Sequence, residues 1–212
     1  MKWPDANVLR GLYVITDEQR IAQNRFAETV EQVLRGGARI IQYRDKSADR
    51  TKRLAQAKTL KMLCEKYQSA LIINDDTELA LQIDADGVHI GQHDASLADA
   101  RRQLGRHKII GVSCYNNFSL AQSAAQHGAN YIAFGSFFPS TTKPDAVRAE
   151  TALLARARQE LNIPVCAIGG ITLDNASALI RHGADMIAVI NDVFGNNDTE
   201  SRCRNLSALF NS

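Results

Sequence analysis

The sequence predicts a single closed (β/α)8 barrel, and three observations carry that prediction. Short, uniformly apolar strand-like runs alternate with amphipathic helical stretches eight times along the 212 residues. Strands this apolar are what a parallel sheet covered by helices requires. One junction recurs, as Gly37-Ala38-Arg39-Ile40, Gly128-Ala129-Asn130-Tyr131 and Gly183-Ala184-Asp185-Met186. In it, glycine takes the left-handed position that ends a helix, and a strand begins two or three residues later. Asp84-Ala85-Asp86-Gly87 is a looser copy with its glycine displaced. No linker, low-complexity tract or composition shift divides the chain, so 1–212 reads as one barrel domain, with 1–10 as an N-terminal extension. An open doubly wound sheet is the competing architecture. Its usual Gly-x-Gly-x-x-Gly after the first strand is absent, because Thr16-Asp17-Glu18 stands there.

Gly11 to Thr16, β-branched and aromatic, is the first strand. Phe26, Val30, Val33 and Leu34 then share a helical face that Gly36-Gly37 terminates. The second strand, Arg39 to Tyr43, empties into Arg44-Asp45-Lys46. Between Ala48 and Tyr67, residues Leu54, Ala57, Leu60, Leu63 and Cys64 recur at helical spacing before the third strand, Leu71 to Ile73. The alternation continues with a helix from Thr77, a strand at Gly87 to Ile90, a helix from Ser96 and a strand at Ile109 to Val112. A helix from Asn117 and a strand at Tyr131 to Phe134 follow. After the loop Ser136 to Asp145 come a helix through Ala155, a strand at Val165 to Ile168 and a helix from Asp174. The last strand, Met186 to Ile190, precedes a final helix from about Glu200.

Apolar residues at 45% and charged residues at 23% suit a globular chain with a sizeable core and exclude disorder as its main theme. A formal charge of +2 is too small for a nucleic-acid or membrane-surface footprint. Cys64, Cys114, Cys166 and Cys203 form no Cys-x-x-Cys pair and read as small buried hydrophobes of a reducing compartment. The stretch before Arg10 has no apolar run of signal-peptide length, and no apolar segment reaches membrane-spanning length. A cytoplasmic location is the expectation. Homo-oligomer formation is left open.

In a barrel the loops after the strands open onto one face, where active sites of this fold sit. Gln42, Arg44 and Lys46 follow the second strand; Asn74, Asp75 and Asp76 the third; Asp94 the fourth; Ser113 the fifth; Ser140, Thr141, Thr142 and Lys143 the sixth. Asp75 and Asp94, at the ends of adjacent strands, form a carboxylate pair for Mg²⁺, which takes one or two carboxylates and completes its shell with water and substrate phosphate. Capping of the following helices is the plainer job for both. Arg44 and Lys46 equally suit a solvated pair around Asp45, Lys143 a surface lysine and Ser113 a turn bonded to its own backbone. His89 and His93 straddle a strand end, share no helical face, and so make a poor zinc pair. Gly169-Gly170, with Ile190-Asn191 after the last strand, suits either a backbone phosphate station or plain turn chemistry. Two phosphate stations on one mouth point to transfer between two phosphorylated substrates.

The ordered set Gln42-x-Arg44-x-Lys46, Asn74-Asp75, Gly87-Val88-His89-Ile90-Gly91-Gln92-x-Asp94, Gly111-Val112-Ser113, Phe138-Pro139-Ser140-Thr141-Thr142-Lys143, Ala167-Ile168-Gly169-Gly170-Ile171 and Ile187-Ala188-Val189-Ile190 resembles thiamine phosphate synthase from Gly11 to the last helix. The resemblance implies a Mg²⁺-dependent transferase that joins hydroxymethylpyrimidine diphosphate to thiazole phosphate and releases diphosphate. The pyrimidine diphosphate would lie on Gln42, Tyr43, Arg44, Asp45, Lys46, Asn74, Ser113 and Lys143, with Mg²⁺ on Asp75 and Asp94. The thiazole phosphate would lie on Ser140, Thr141, Thr142, Gly170, Ile190 and Asn191. Arg44, Lys46, Ser113 and Lys143 would assist a dissociative departure of diphosphate, with no protein nucleophile. Asn191 stands where many members have serine and Ser140 where many have threonine, and Asp76 receives no role. A thiazole tautomerase and a non-catalytic phosphate-binding barrel are the competing readings. The diphosphate-binding residues favour the synthase over the tautomerase, which has no leaving diphosphate to hold.

Overall fold

The computed structural model describes residues 9–92, 94–139 and 147–211. The N-terminal extension lies almost wholly outside them, as do His93 and residues 140–146, which include four of the expected substrate contacts, Ser140, Thr141, Thr142 and Lys143.

Eight parallel strands, β1 (Gly11–Ile15), β2 (Ile40–Tyr43), β3 (Ala70–Asn74), β4 (Gly87–Ile90), β5 (Ile109–Tyr115), β6 (Tyr131–Phe134), β7 (Val165–Ile168) and β8 (Met186–Val189), close in sequential order. Closure runs through β1 and β8, where Gly11 pairs with Met186. The helices are α1 (Phe26–Arg35), α2 (Arg50–Lys66), α3 (Thr77–Gln82), α4 (Leu97–Leu104), α5 (Phe118–Gln126), α6 (Ala152–Glu160), α7 (Leu173–Arg181), α8 (Asn191–Phe194) and α9 (Thr199–Ala208). This is the TIM-barrel fold that the alternation of apolar runs predicts.

Alternation along each strand sorts the apolar residues into two clusters, because successive side chains leave a strand on opposite faces. Tyr13, Ile40, Ile72, Tyr131, Cys166 and Met186 fill the barrel interior. Leu12, Val14, Ile41, Leu71 and Ile73 instead join Val30, Leu60 and the other helix residues in the layer outside it. Both layers are almost free of solvent exposure.

The recurring junction has a second function. Gly37, Gly128 and Gly183 hold φ of +93°, +89° and +111°, as a helix-ending left-handed turn requires. In the looser copy Asp84 takes that position at φ +53°. Its glycine is displaced to Gly87 because a Cβ there would stand 2.0 Å from the Ile109 carbonyl oxygen. The residue before the strand then pins the preceding strand. Asp86, Asn130 and Asp185 accept the N–H of Leu71, Ile110 and Val165 at 2.8, 2.9 and 2.9 Å. Arg39, at the matching place, has no acceptor to offer.

Beyond shifts of a residue at strand ends, the main departures from expectation are three. β5 continues to Tyr115 rather than stopping at Val112. α6 runs on to Glu160 instead of ending at Ala155, since Ala157 keeps facing the core. The four-residue α8 is too short to leave a periodic pattern.

Candidate active site

A cavity of about 600 Å³ opens at the carboxyl ends of the strands, within the size range of small-molecule sites. Gln42, Arg44, Asn74, Ser113, Gly170, Ile190 and Asn191 all line it. Gln42 reaches it because it shares the inner face of β2 with Ile40. The Arg44 backbone is clamped by Thr16, whose hydroxyl accepts the Arg44 N–H at 2.9 Å and lies 3.3 Å from its carbonyl.

Tyr43 and Asp45, next in the chain, do not join this lining. They border a separate cavity of about 110 Å³ with Lys52 and Gln56. The Tyr43 hydroxyl donates to Gln56 at 3.0 Å, and its ring meets Phe26 edge-on. Asp45, its carboxylate only 1% exposed, pairs with Lys52 at 2.6 Å. Neighbours on a strand point to opposite faces, so Gln42 and Tyr43 cannot both face one pocket.

Beside the cavity, the Asp75 and Asp94 carboxylates lie close enough to bond through a shared proton. Asp75 sits at φ +63°, anchored by its N–H on the His89 carbonyl at 2.9 Å, and its carboxylate is paired with Lys46. Asp94 accepts the Gly91 N–H at 2.6 Å. Neither caps a helix: Asp76 caps α3 through Leu79 N–H, and Ser96 caps α4 through Asp99 N–H. Burial pushes Asp75 upward, but its bond with Asp94 and the Lys46 ammonium outweigh burial and hold it below the usual carboxylate range. Burial, then the Asp75 carboxylate, push Asp94 above it. Two carboxylates in contact raise the proton affinity of the pair, and a hard dication relieves that charge in the proton's place. Among the described residues no cluster of three or more His, Cys, Asp or Glu is placed to hold a metal, so any cation here keeps several positions for water or ligand oxygens.

A family model described as thiamine monophosphate synthase matches residues 12–193. The chain belongs to the thiamine monophosphate synthase family. It is an enzyme, a transferase of thiamine biosynthesis. The thiamine-phosphate synthase of Thioalkalivibrio sulfidiphilus is 52% identical over 202 residues, 95% of this chain and 96% of that one. That of Methylobacillus flagellatus is 52% identical over 96% of both. The thiamine phosphate pyrophosphorylase structure from Pyrococcus furiosus superposes with a TM-score of 0.87 at 34% identity, covering 98% of each chain.

For this member of the thiamine monophosphate synthase family, several plainer readings are settled by contacts. Among the described residues the Ser113 hydroxyl bonds to His89 Nε2 at 2.8 Å rather than to its own backbone. His89 uses its other ring nitrogen on Tyr131 at 2.9 Å. Lys46 meets Asp75 rather than Asp45. Gly169 and Gly170, at φ +103° and +62°, let the loop after β6 approach: a Cβ on Gly170 would stand 2.3 Å from the Pro139 carbonyl oxygen. Asp192 accepts the Leu173 N–H at 3.0 Å, tying the turn after β8 to the start of α7. Among the residues not expected at the site are Tyr13, Tyr115 and Ser136, which line the cavity. Tyr13 was findable, since it shares strand parity with Ile15 on the inner face. Tyr115 hides beyond the expected end of β5. Among the described residues no helix is long and apolar enough to cross a membrane.

Proposed function

We propose that the chain is a Mg²⁺-dependent thiamine phosphate synthase that transfers the hydroxymethylpyrimidine group from its diphosphate to thiazole phosphate, yielding thiamine phosphate and diphosphate. The observation that carries the reading is the Asp75–Asp94 pair with Lys46 beside a cavity of about 600 Å³. Asp75 and Asp94 would hold the metal, which when bound supplies positive charge to the departing diphosphate. Arg44, and Lys46 on release from Asp75, add donors for the same oxygens, and Ser113 contributes its hydroxyl. Lys143 belongs to this set by resemblance.

The cavity has the two properties a dissociative step needs. Among the described lining residues the one thiol, Cys166, makes a poor nucleophile, because burial pushes it far above its ordinary value. Fixed donors at the mouth face the charge that develops on the leaving group, where preorganisation is worth most. The thiazole phosphate lies on Gly170, Ile190 and Asn191, with Ser140, Thr141 and Thr142 by resemblance, so that its ring nitrogen can capture the cationic methylene carbon. A soluble monomer or homo-oligomer of the cytoplasm suits this role, without nucleic-acid or membrane partners. The test is to mix the protein with both phosphorylated precursors, with and without Mg²⁺. Diphosphate release that needs both precursors and the metal is expected, and release without Mg²⁺ overturns the metal assignment.

A further inference from the structure

Five side chains from five strands form one hydrogen-bonded line across the barrel interior. Gln42 Nε2 donates to Tyr13 Oη at 2.6 Å, Tyr13 Oη meets Tyr131 Oη at 2.8 Å, Tyr131 Oη meets His89 Nδ1 at 2.9 Å, and His89 Nε2 meets Ser113 Oγ at 2.8 Å. The two phenols are 1% and 0% exposed, so water does not compete for their oxygens. Among the described residues those oxygens bond only to each other, to Gln42 and to His89. Burial pushes both phenols far above their ordinary value, so each keeps its proton. Tyr131 does not line the cavity. Its ring stacks on His89, meets Tyr13 edge-on and fills the space a Cβ on Gly111 would need.

A hydroxyl has one proton to give, and a neutral imidazole carries one N–H and one lone pair. The line therefore runs in one direction throughout. When Gln42 donates to Tyr13, Tyr13 donates to Tyr131, Tyr131 to His89 Nδ1, and His89 Nε2–H to Ser113. Gln42 then turns its carbonyl oxygen to the cavity, and Ser113 keeps its own O–H for the cavity. Reversal of any link reverses all of them, so the two cavity ends always differ in kind.

We infer that this line is a directional relay that couples the Gln42 carboxamide to Ser113 and selects a ligand that accepts at Ser113 and donates at Gln42. Tyr131 and His89 are its positioning residues. A phosphate oxygen only accepts, so diphosphate on Ser113 sets the relay running from Gln42 to Ser113 and leaves an acceptor at Gln42. An aminopyrimidine presents its exocyclic N–H₂ there. The 4-oxo analogue presents a second acceptor and is rejected. The identity of the ligand rests on the transferase reading, whereas the coupling of the two ends does not.

Tyr131→Phe removes one oxygen and keeps the packed ring. The first readout is the tautomer of His89, from two-bond ¹⁵N–¹H spectra of the histidine-labelled protein with inorganic diphosphate and Mg²⁺. The wild type is expected to carry the proton on Nε2, and Tyr131→Phe to show a mixture of tautomers. The second is the ratio of kcat/KM for the amino and 4-oxo pyrimidine diphosphates, expected at roughly 10³-fold or more in the wild type, as for sites that hydrogen-bond a substrate donor. In Tyr131→Phe that ratio is expected to fall by about tenfold, the equivalent of one lost hydrogen bond. A proton on Nδ1, a doubly protonated ring, or a tautomer and ratio both unchanged in the variant overturns the relay. If Tyr131→Phe does not fold, Tyr13→Phe interrupts the same line and is read the same way. A wild type that turns over neither diphosphate refutes the transferase reading, and the tautomer measurement still decides the relay.

Discussion

Replacing Asp75 by asparagine separates the metal assignment from a structural role. Asp75 occupies the left-handed region at φ +63°, which asparagine tolerates and which costs a residue such as alanine about 1–2 kcal/mol. The substitution therefore removes charge and keeps the backbone. Lys46 loses its partner, but its side chain is 54% exposed, and pairs of that kind contribute about 0–1 kcal/mol. Against that loss, the repulsion between Asp75 and Asp94 disappears, and Asp94 moves back toward its ordinary range. The two effects offset, so the melting temperature is expected to shift by no more than about 2–4 °C, the equivalent of about 1 kcal/mol at this chain length. Catalysis does not share the compensation. Unit charges about 4 Å apart at an effective dielectric near 20 interact by about 4 kcal/mol, and loss of about 3–4 kcal/mol from the transition state slows turnover by about 10² to 10³. Diphosphate release is measured at saturating precursors across a Mg²⁺ titration. Slower turnover with half-saturation at higher Mg²⁺ is expected, in a protein that melts like the wild type. Wild-type turnover with an unchanged Mg²⁺ requirement would sink the assignment.

The other predictions concern groups around this pair. Gly170→Ala forces a Cβ at φ +62° to within 2.3 Å of the Pro139 carbonyl oxygen, a contact no side-chain rotation relieves. A loss of about 2 kcal/mol, seen as a drop of about 4–8 °C in Tm, is expected with a raised KM for thiazole phosphate; an unchanged melt contradicts the close approach. Asp76→Ala removes the α3 cap and the 2.7 Å partner of Arg53, so chemical denaturation should show a loss of about 1–2 kcal/mol. Its kcat should stay at the wild-type value, and a large fall in kcat would show that Asp76 acts on substrate. Asp45 gives a pH test. Burial pushes it up, but Lys52 and Ser47 prevail and hold it below the ordinary range, so the folded state binds fewer protons than the unfolded one there. The stability it contributes is complete above the unfolded carboxylate value of about 3.9 and is lost as pH falls through the lower folded value. Asp45→Asn should thus be less stable at pH 6 and lose less further stability on acidification below pH 4, as urea melts will show; parallel pH profiles would contradict it.

What was legible in the sequence depended on whether the cause was local. The strands announce themselves because each is a short apolar run, and the Gly-Ala junction because a left-handed turn needs glycine at a fixed offset. Even the displaced glycine of the fourth strand follows one steric fact, since Gly87 is required against Ile109 while Asp84 tolerates the left-handed turn. Asp75 and Asp76 are a harder case. Either satisfies the composition of a cap, and only the reach of Asp76 to the Leu79 N–H three residues on assigns it. Strand parity alone separates Gln42 from Tyr43, which their polar character does not do.

The hydrogen-bonded line inside the barrel lies at the other extreme. Tyr13 and Tyr131 meet across 118 residues of chain, and His89 reaches Tyr131 across 42. Each of these residues, taken in its own strand, is an ordinary member of an apolar run. Closure of the sheet makes them neighbours, because inward-facing positions of separate strands converge on one axis. Once enclosed there, a phenol without a partner would cost about 1–3 kcal/mol, so each hydroxyl demands another until the line ends at groups that face the cavity. The polar interior of this barrel is thus a consequence of two buried tyrosines, and its two open ends, Gln42 and Ser113, are where that internal constraint becomes ligand recognition.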